Sequence, residues 1–187
     1  MERIIGKNIN LRLAEVSDAE FTLNLRLNRG KLLSKTTNNL EQQKEWIAKY
    51  KKREKNGSEY YFIIENKNNF SVGVIRIYEI NFENKLFAFG SFIIDENLCY
   101  KYTALEAITL VFNYAFNVLN LEKCLFDCKK INNRANRFYA RYEAIPLGED
   151  DINFYYEYNK DLFNKNCSNY LKIINDSTSS QTAYNTL

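Results

Sequence analysis

Asn132 and Tyr139 stand seven residues apart and carry groups suited to chemistry. Seven residues is two helical turns, so on a helix they lie on nearly one side. A tyrosine hydroxyl, with an ordinary pKa near ~10, stays protonated at neutral pH and can hand a proton to a leaving group. On spacing alone, however, Asn132 reads as a helix N-cap and Tyr139 as core packing. The chain holds 14 Tyr and 13 Phe, so another buried ring would be ordinary. A second segment, residues 93–106, runs from a strand into a helix start. Helix N-termini present unpaired N–H groups and the positive end of the dipole, which suits a phosphate. Thr103-Ala104-Leu105-Glu106 has the spacing of a capping box at that start.

Other residue clusters have milder readings. Lys49, Lys51, Lys52, Arg53 and Lys55, broken by Glu54, read as a solvated helix face; their sharper reading is a lure for a phosphate-bearing substrate. The net charge of +3 is too small to argue for a nucleic-acid partner. Cys124 and Cys128 fall in a strand-like run, and the chain has no histidine, so a zinc site would need all four cysteines. Free thiols in a reducing compartment fit better, and no metal is expected. No run approaches the ~18 apolar residues of a membrane span, and the N-terminus lacks a signal peptide's apolar stretch. The expectation is a cytoplasmic protein with no membrane partner.

These groups must be positioned by regular elements. Residues 9–13 alternate as a strand, and Ser17 with Glu20 has the form of a cap for a helix running to about residue 28. Residues 38–55 form a second helix, with Leu40, Trp46, Ile47 and Tyr50 as its buried stripe. Strands follow at 60–65, 72–80 and 85–94, an antiparallel meander. A long apolar helix at 103–118 then leads to a strand at 121–128. That strand–helix–strand unit predicts two parallel neighbours with a right-handed crossover. Gly90 suggests a bulge or close backbone approach in the first of them. A helix at 132–143 and a strand at 151–158 complete the pattern. Beyond about residue 166 periodicity fades, and Ser177 to Thr182 reads as disordered.

The order of these parts resembles the GNAT superfamily of N-acetyltransferases, over roughly residues 5–160. The resemblance starts at Ile9-Asn10-Leu11-Arg12-Leu13-Ala14-Glu15 and Asp18-Ala19-Glu20-Phe21 and continues through Gly73-Val74-Ile75-Arg76-Ile77-Tyr78. Its best part runs from Asn113-Tyr114-Ala115-Phe116 through the strand 123–129 to Asn132-x-x-Ala135-x-x-Phe138-Tyr139. Arg76-Ile77-Tyr78 with Phe89-Gly90-Ser91-Phe92 is similar to acyltransferases encoded with surface-polysaccharide genes, which act on nucleotide-linked amino sugars.

The resemblance implies a fold and a set of roles. The fold is α+β: a mixed central sheet, an antiparallel meander plus a parallel splayed βαβ unit, flanked by helices. Acetyl-CoA or another acyl-CoA would insert its pantetheine arm between the strands 85–94 and 121–128. Phe92, Ile93 and Ile94 would offer backbone groups to it, Asn132 would touch it, and Tyr139 would protonate the departing thiolate. The pyrophosphate would meet Lys101, Tyr102, Thr103 and Ala104. There the chain departs from the family's Arg/Gln-x-x-Gly-x-Gly/Ala: Cys99-Tyr100-Lys101-Tyr102-Thr103-Ala104 keeps only the final small residue. Glu143 stands where the family has glycine, and Ala88 where many relatives place a glutamate base. Glu59, Glu79 and Asp95 are the other carboxylates near strand ends. Arg26, Trp46, Tyr50, Arg76 and Tyr78 are candidates for the acceptor site.

The expectation is therefore one acyltransferase domain at residues 1–165 with a disordered tail at 166–187, transferring an acyl group to a primary amine of a small molecule, foremost a nucleotide-linked amino sugar. The rivals are a protein N-terminal acetyltransferase of the ribosomal-protein type and a non-catalytic CoA-binding module. The sequence fixes no oligomeric state and allows a homodimer.

Overall fold

A computed structural model describes residues 3–29, 32, 37–95 and 97–176. The described strands are β1 (Ile4–Ile5), β2 (Ile9–Leu13), β3 (Tyr60–Asn66), β4 (Ser71–Asn81), β5 (Leu86–Ile94), β6 (Lys123–Lys129), β7 (Ile145–Glu149) and β8 (Asn153–Asn159). They form one sheet in the order β1-β2-β3-β4-β5-β6-β8-β7. Every pairing is antiparallel except β5 with β6. The helices are α1 (Ala19–Arg29), α2 (Leu40–Lys55), α3 (Thr103–Asn113), α4 (Asn133–Arg141) and α5 (Lys160–Asp176). The mixed sheet, meander plus parallel unit, is the one expected.

The central strands are buried on both faces, so they read as continuous apolar runs. On β3, Tyr61 and Ile63 join Ile47 and Tyr50 of α2 and Ala19 and Leu25 of α1. The alternate residues Phe62 and Ile64 face the other way, into a core with Ile108, Val111 and Phe112 of α3 and Phe163 and Tyr170 of α5. The sheet thus separates an α1/α2 side from an α3/α5 side.

Several expectations need correction. The turn before α1 is not capped by Ser17. Glu15 occupies the cap position, its N–H donates to Asp18 Oδ2 at 2.8 Å, and Arg12 holds Asp18 with two N–H groups at 2.7 Å each. That bidentate pair explains why the aspartate at 18, and not the serine, sets the turn. The long helix does not stay α-helical to Val118: Tyr114–Val118 widens to a π-helix where Tyr114 meets Tyr60 and Phe62 edge-on. Two strands were missed. β1 has only two residues, and β7 contains Pro146 and Gly148, which break the alternation but are tolerated on an edge strand.

The largest correction concerns the tail. Residues 166–176 are not disordered but belong to α5, started by Asn159 Oδ1, which accepts from Leu162 N–H at 3.0 Å. Phe163, Cys167, Tyr170 and Ile174 recur at helical spacing, and interleaved Asn, Lys and Ser lower the mean hydropathy enough to hide them. Ser177 to Thr182 lie outside the described residues.

Candidate active site

The parallel strands part early. β5 and β6 pair only at Leu86 with Lys123, Phe87 with Cys124 and Ala88 with Leu125, although β5 runs on to Ile94 and β6 to Lys129. Beyond Ala88 and Leu125 the facing strand edges make no ladder with each other, leaving backbone donors and acceptors for an extended ligand. A bulge lies in the diverging half of β5: Ser91 and Phe92 oppose Ile75 alone, between the pairs Arg76–Gly90 and Val74–Ile93. The left-handed backbone falls on Ser91 (φ 47°), one residue past Gly90. Gly90 has a different use. A Cβ there would come within 3.2 Å of the Tyr78 ring, so its absence lets Tyr78 lie over β5.

Tyr139, on α4, occupies the fork of the two strands. Its ring meets Phe89 of β5 at 6.2 Å and Phe126 of β6 at 4.8 Å, the first residues beyond the last pair. Phe138 and Tyr156 complete the surround. Burial pushes the Tyr139 hydroxyl well above the ordinary tyrosine range, so it holds its proton at neutral pH. That hydroxyl makes no hydrogen bond with the described residues. Asn132 is the N-cap of α4, its Oδ1 accepting from Ala135 N–H at 3.2 Å. The half-buried Phe92 stacks edge-on with Phe89 and Phe138; Ile93 is buried on the α1/α2 side.

The turn before α3 is held by side chains rather than shaped by glycine. The expected capping box does not form, because Thr103 is already the first helical residue and Tyr102 is the N-cap. Thr103 Oγ1 instead accepts from Tyr100 N–H at 3.1 Å. The buried carboxylate of Glu106 accepts from Asn8 N–H at 2.9 Å, from Asn8 Nδ2 at 3.1 Å and from the Tyr100 hydroxyl. Tyr100 is thereby pinned to the helix and to the β1–β2 turn. The N–H groups of Ala104 and Leu105 take no partner among the described residues. Lys101 is exposed, its ammonium 5.2 Å from the Tyr102 ring centre.

On the α1/α2 side lies an open pocket of about 450 Å³, lined by Trp46, Arg53, Ser58, Glu59, Arg76, Tyr78 and Glu79. It brings together three of the predicted acceptor residues. The Arg76 guanidinium sits 5.5 Å from the Trp46 ring and 4.1 Å from the Tyr78 ring, and Arg53 is 5.6 Å from Trp46. Glu59 is buried; Arg53 Nε donates to its Oε2 at 2.5 Å, and Arg76 Nη1 lies 3.5 Å from its Oε1. Arg76 Nε and Glu59 Oε1 are both buried without a hydrogen-bond partner. Arg26 is outside this lining, although its charge and that of Arg76 both act on Tyr61. Tyr50 is also elsewhere, fully buried with its hydroxyl donating to Glu54.

Of the predicted carboxylates, Glu59 is shared by two arginines, and Asp95 accepts from Asn97 N–H in the turn after β5. Glu79 stays at the pocket with a left-handed backbone (φ 52°). Sequence reasoning passed over Arg53, submerged in the basic run, and Asp127, the outward-facing polar residue on the diverging half of β6. The alternation Cys124, Phe126, Cys128 buried against Leu125 and Asp127 exposed was the available signal.

Comparisons with known proteins agree with this geometry. Residues 8–144 match the family model described as an acetyltransferase (GNAT) domain. No curated protein sequence matches the chain. Among solved structures, apo FdhC, described as a nucleotide-linked sugar GNAT, is 36% identical, with 91% of this chain and 96% of that chain covered and a TM-score of 0.80. A ribosomal-protein-S5-alanine acetyltransferase from Vibrio fischeri shares the fold at 17% identity, 86% and 98% coverage and a TM-score of 0.75. A spermidine N-acetyltransferase from Vibrio cholerae, solved with CoA and spermine, shares it at 20% identity, 84% and 99% coverage and a TM-score of 0.72. With a splayed parallel pair, a tyrosine in its fork and a family match across most of its length, this chain belongs to the GNAT acetyltransferases and is an acetyl-CoA-dependent N-acetyltransferase.

Proposed function

We propose that the chain transfers an acetyl group from acetyl-CoA to the amine of a nucleotide-linked amino sugar. The observation that carries this reading is the polar pair in the α1/α2-side pocket with hydrogen-bonding capacity to spare: Arg76 Nε, a buried donor, and Glu59 Oε1, a buried acceptor that meets Arg76 Nη1 only as an ion pair at 3.5 Å, both belong to residues lining the cavity and neither makes a hydrogen bond. A group that both donates and accepts, as a sugar hydroxyl does, answers both. Trp46 and Tyr78 supply aromatic surface, and Arg53 and Arg76 suit phosphate oxygens. A polyamine fits less well, since two guanidinium groups would face its cations and already share the buried carboxylate. The similarity to FdhC at 36% identity points the same way.

In this reading acetyl-CoA lies in the fork between β5 and β6. Backbone groups of Phe92, Ile93 and Ile94 meet its pantetheine arm, and one N–H on β5 holds the oxyanion. Lys101, Tyr102, Thr103 and Ala104 take the pyrophosphate, with the unpartnered N–H groups of Ala104 and Leu105 as donors. Asn132 spends Oδ1 on its cap, so its contact with the cofactor is through Nδ2. The amine attacks from the α1/α2 side, the C–S bond breaks, and Tyr139 delivers a proton to sulfur. The test is product mass after incubation with acetyl-CoA and a panel of nucleotide amino sugars, spermidine and an alanine-terminated peptide. Acetylation of a nucleotide amino sugar in preference to the others is expected; preference for spermidine or the peptide would overturn the reading.

A further inference from the structure

Ala88 leaves the fork without the glutamate that many relatives carry there, yet an acceptor amine is cationic at neutral pH and must lose a proton to attack. The sheet register identifies a replacement. Tyr78 pairs with Ala88, and Ala88 pairs with Leu125, so these three share the α1/α2-side face. One step along, Arg76 pairs with Gly90, and the corresponding residue on β6 is Asp127, two beyond Leu125. At this level the two strands no longer touch, and Gly90 puts no side chain into the gap. Asp127 therefore borders the opening on the side where the pocket lies. It is exposed and makes no hydrogen bond or ion pair with the described residues. Tyr155, its cross-strand partner, donates instead to Asp150 at 2.6 Å.

We propose that Asp127 holds the acceptor's ammonium group at the fork and takes its proton as the nitrogen attacks. This rests on reading the α1/α2 side as the acceptor side. The step balances: R–NH3+ gives one proton to the carboxylate, and the freed lone pair forms the C–N bond. As the C–S bond breaks, the sulfur takes the proton of Tyr139. The second proton lost by nitrogen restores Tyr139 through solvent, and Asp127 releases its own, so one proton leaves per turnover. Position relative to the two hydroxyls agrees, because the charge of Asp127 acts on Tyr78 on one side of the sheet and on Tyr139 at the fork. Asp127 also acts on Tyr155 and Cys128, and the other charged groups on its face of the sheet are Lys129 two residues along β6, Arg76 at the level of Gly90 and Glu157 diagonally across on β8. All three phenols are raised above their ordinary range and the Cys128 thiol is pushed up to about 11, so none of them titrates between about pH 6 and 9.

The experiment compares wild type with Asp127→Asn in kcat/KM for the amine across pH 6 to 9.5, with acetyl-CoA as donor and whichever panel amine the wild type acetylates. The substitution is isosteric at an exposed site, and circular dichroism checks the fold. A loss of at least about tenfold near neutral pH is expected, the lower edge of general-base contributions. The deficit should shrink as pH passes the pKa of the amine, where the nucleophile is already neutral, and KM for acetyl-CoA should not move. Unchanged activity, or a deficit constant across pH, would overturn the proposal. A wild type that takes spermidine would overturn the sugar reading while leaving the Asp127 result readable on that amine.

Discussion

The two faces of the sheet at the fork are built from different materials. On the α3/α5 side, Phe89, Phe126, Tyr139, Phe112, Tyr142, Tyr156 and Tyr158 form a continuous stack of rings, most meeting edge-to-face at 4.8 to 6.2 Å. On the α1/α2 side, two rings share a pocket with two guanidinium groups and a buried carboxylate. The ring stack surrounds Tyr139 and, by burying it, keeps its hydroxyl protonated. The charged pocket keeps polar capacity unfilled. In the function proposed above, the difference separates the two tasks of a transferase: the donor side would rely on backbone and packing, and acceptor choice on a few charged side chains.

The contrast can be broken most severely through α5. Tyr170 stacks on Tyr142 at 4.5 Å and donates to the Tyr142 carbonyl at 3.1 Å. Cutting a buried aromatic to alanine costs about 3–5 kcal/mol. Tyr170→Ala should lower Tm by roughly 10 °C or more, at ~2–4 °C per kcal/mol for a chain of this size. Truncation after Lys165 removes Ile174 as well and should leave an unfolded or insoluble protein; a stable, active truncation would show that the ring stack stands without α5. Thermal denaturation followed by circular dichroism decides.

Tyr139→Phe keeps the ring and removes the hydroxyl. A fall in kcat of about tenfold or more is expected, with KM for acetyl-CoA little changed and the fold intact. Full activity would mean that Tyr139 is packing only and that water or direct thiolate departure serves.

The charged face should respond in KM. Arg76→Gln is expected to raise KM for the acceptor about tenfold, the size of a lost charge-assisted hydrogen bond, with KM for acetyl-CoA unchanged. An effect on acetyl-CoA instead would show that the faces are not separate in function. Smallest of all, Lys101→Ala should raise KM for acetyl-CoA by roughly two- to fivefold at constant kcat, as befits one exposed cation, and added salt should erase the difference. Steady-state kinetics at two ionic strengths tests it.

The amino-acid sequence by itself determined the element order apart from β1 and β7, and which two strands lie parallel; the splay between them was implied by the family resemblance. The strand–helix–strand unit pointed to a parallel pair, because a helix that returns the chain across the sheet lets the next strand run in the same direction as the first, and the pattern from Asn132 to Tyr139 put Tyr139 on α4 with Asn132 as its cap. It also carried the mistaken capping boxes, because Ser17 and Thr103 fit the spacing whatever their side chains meet. Only the tertiary structure decided that Glu106 would turn to Asn8 and Tyr100, that Asp18 would answer Arg12, and that residues 166–176 would pack as α5. Asn8 lies 98 residues from Glu106, Arg12 and Tyr100 reach their carboxylates across turns, and the apolar positions of α5 are masked by composition, so helical and strand periodicity carries no term for them. The same holds for the pocket. Arg53 and Arg76 lie 23 positions apart in the chain and share Glu59 only because α2 crosses β3 and β4, and Asp127 reaches the fork only because β6 leaves β5 after Leu125. Periodicity fixes which face of an element is buried; which polar groups then meet is fixed by how the elements cross.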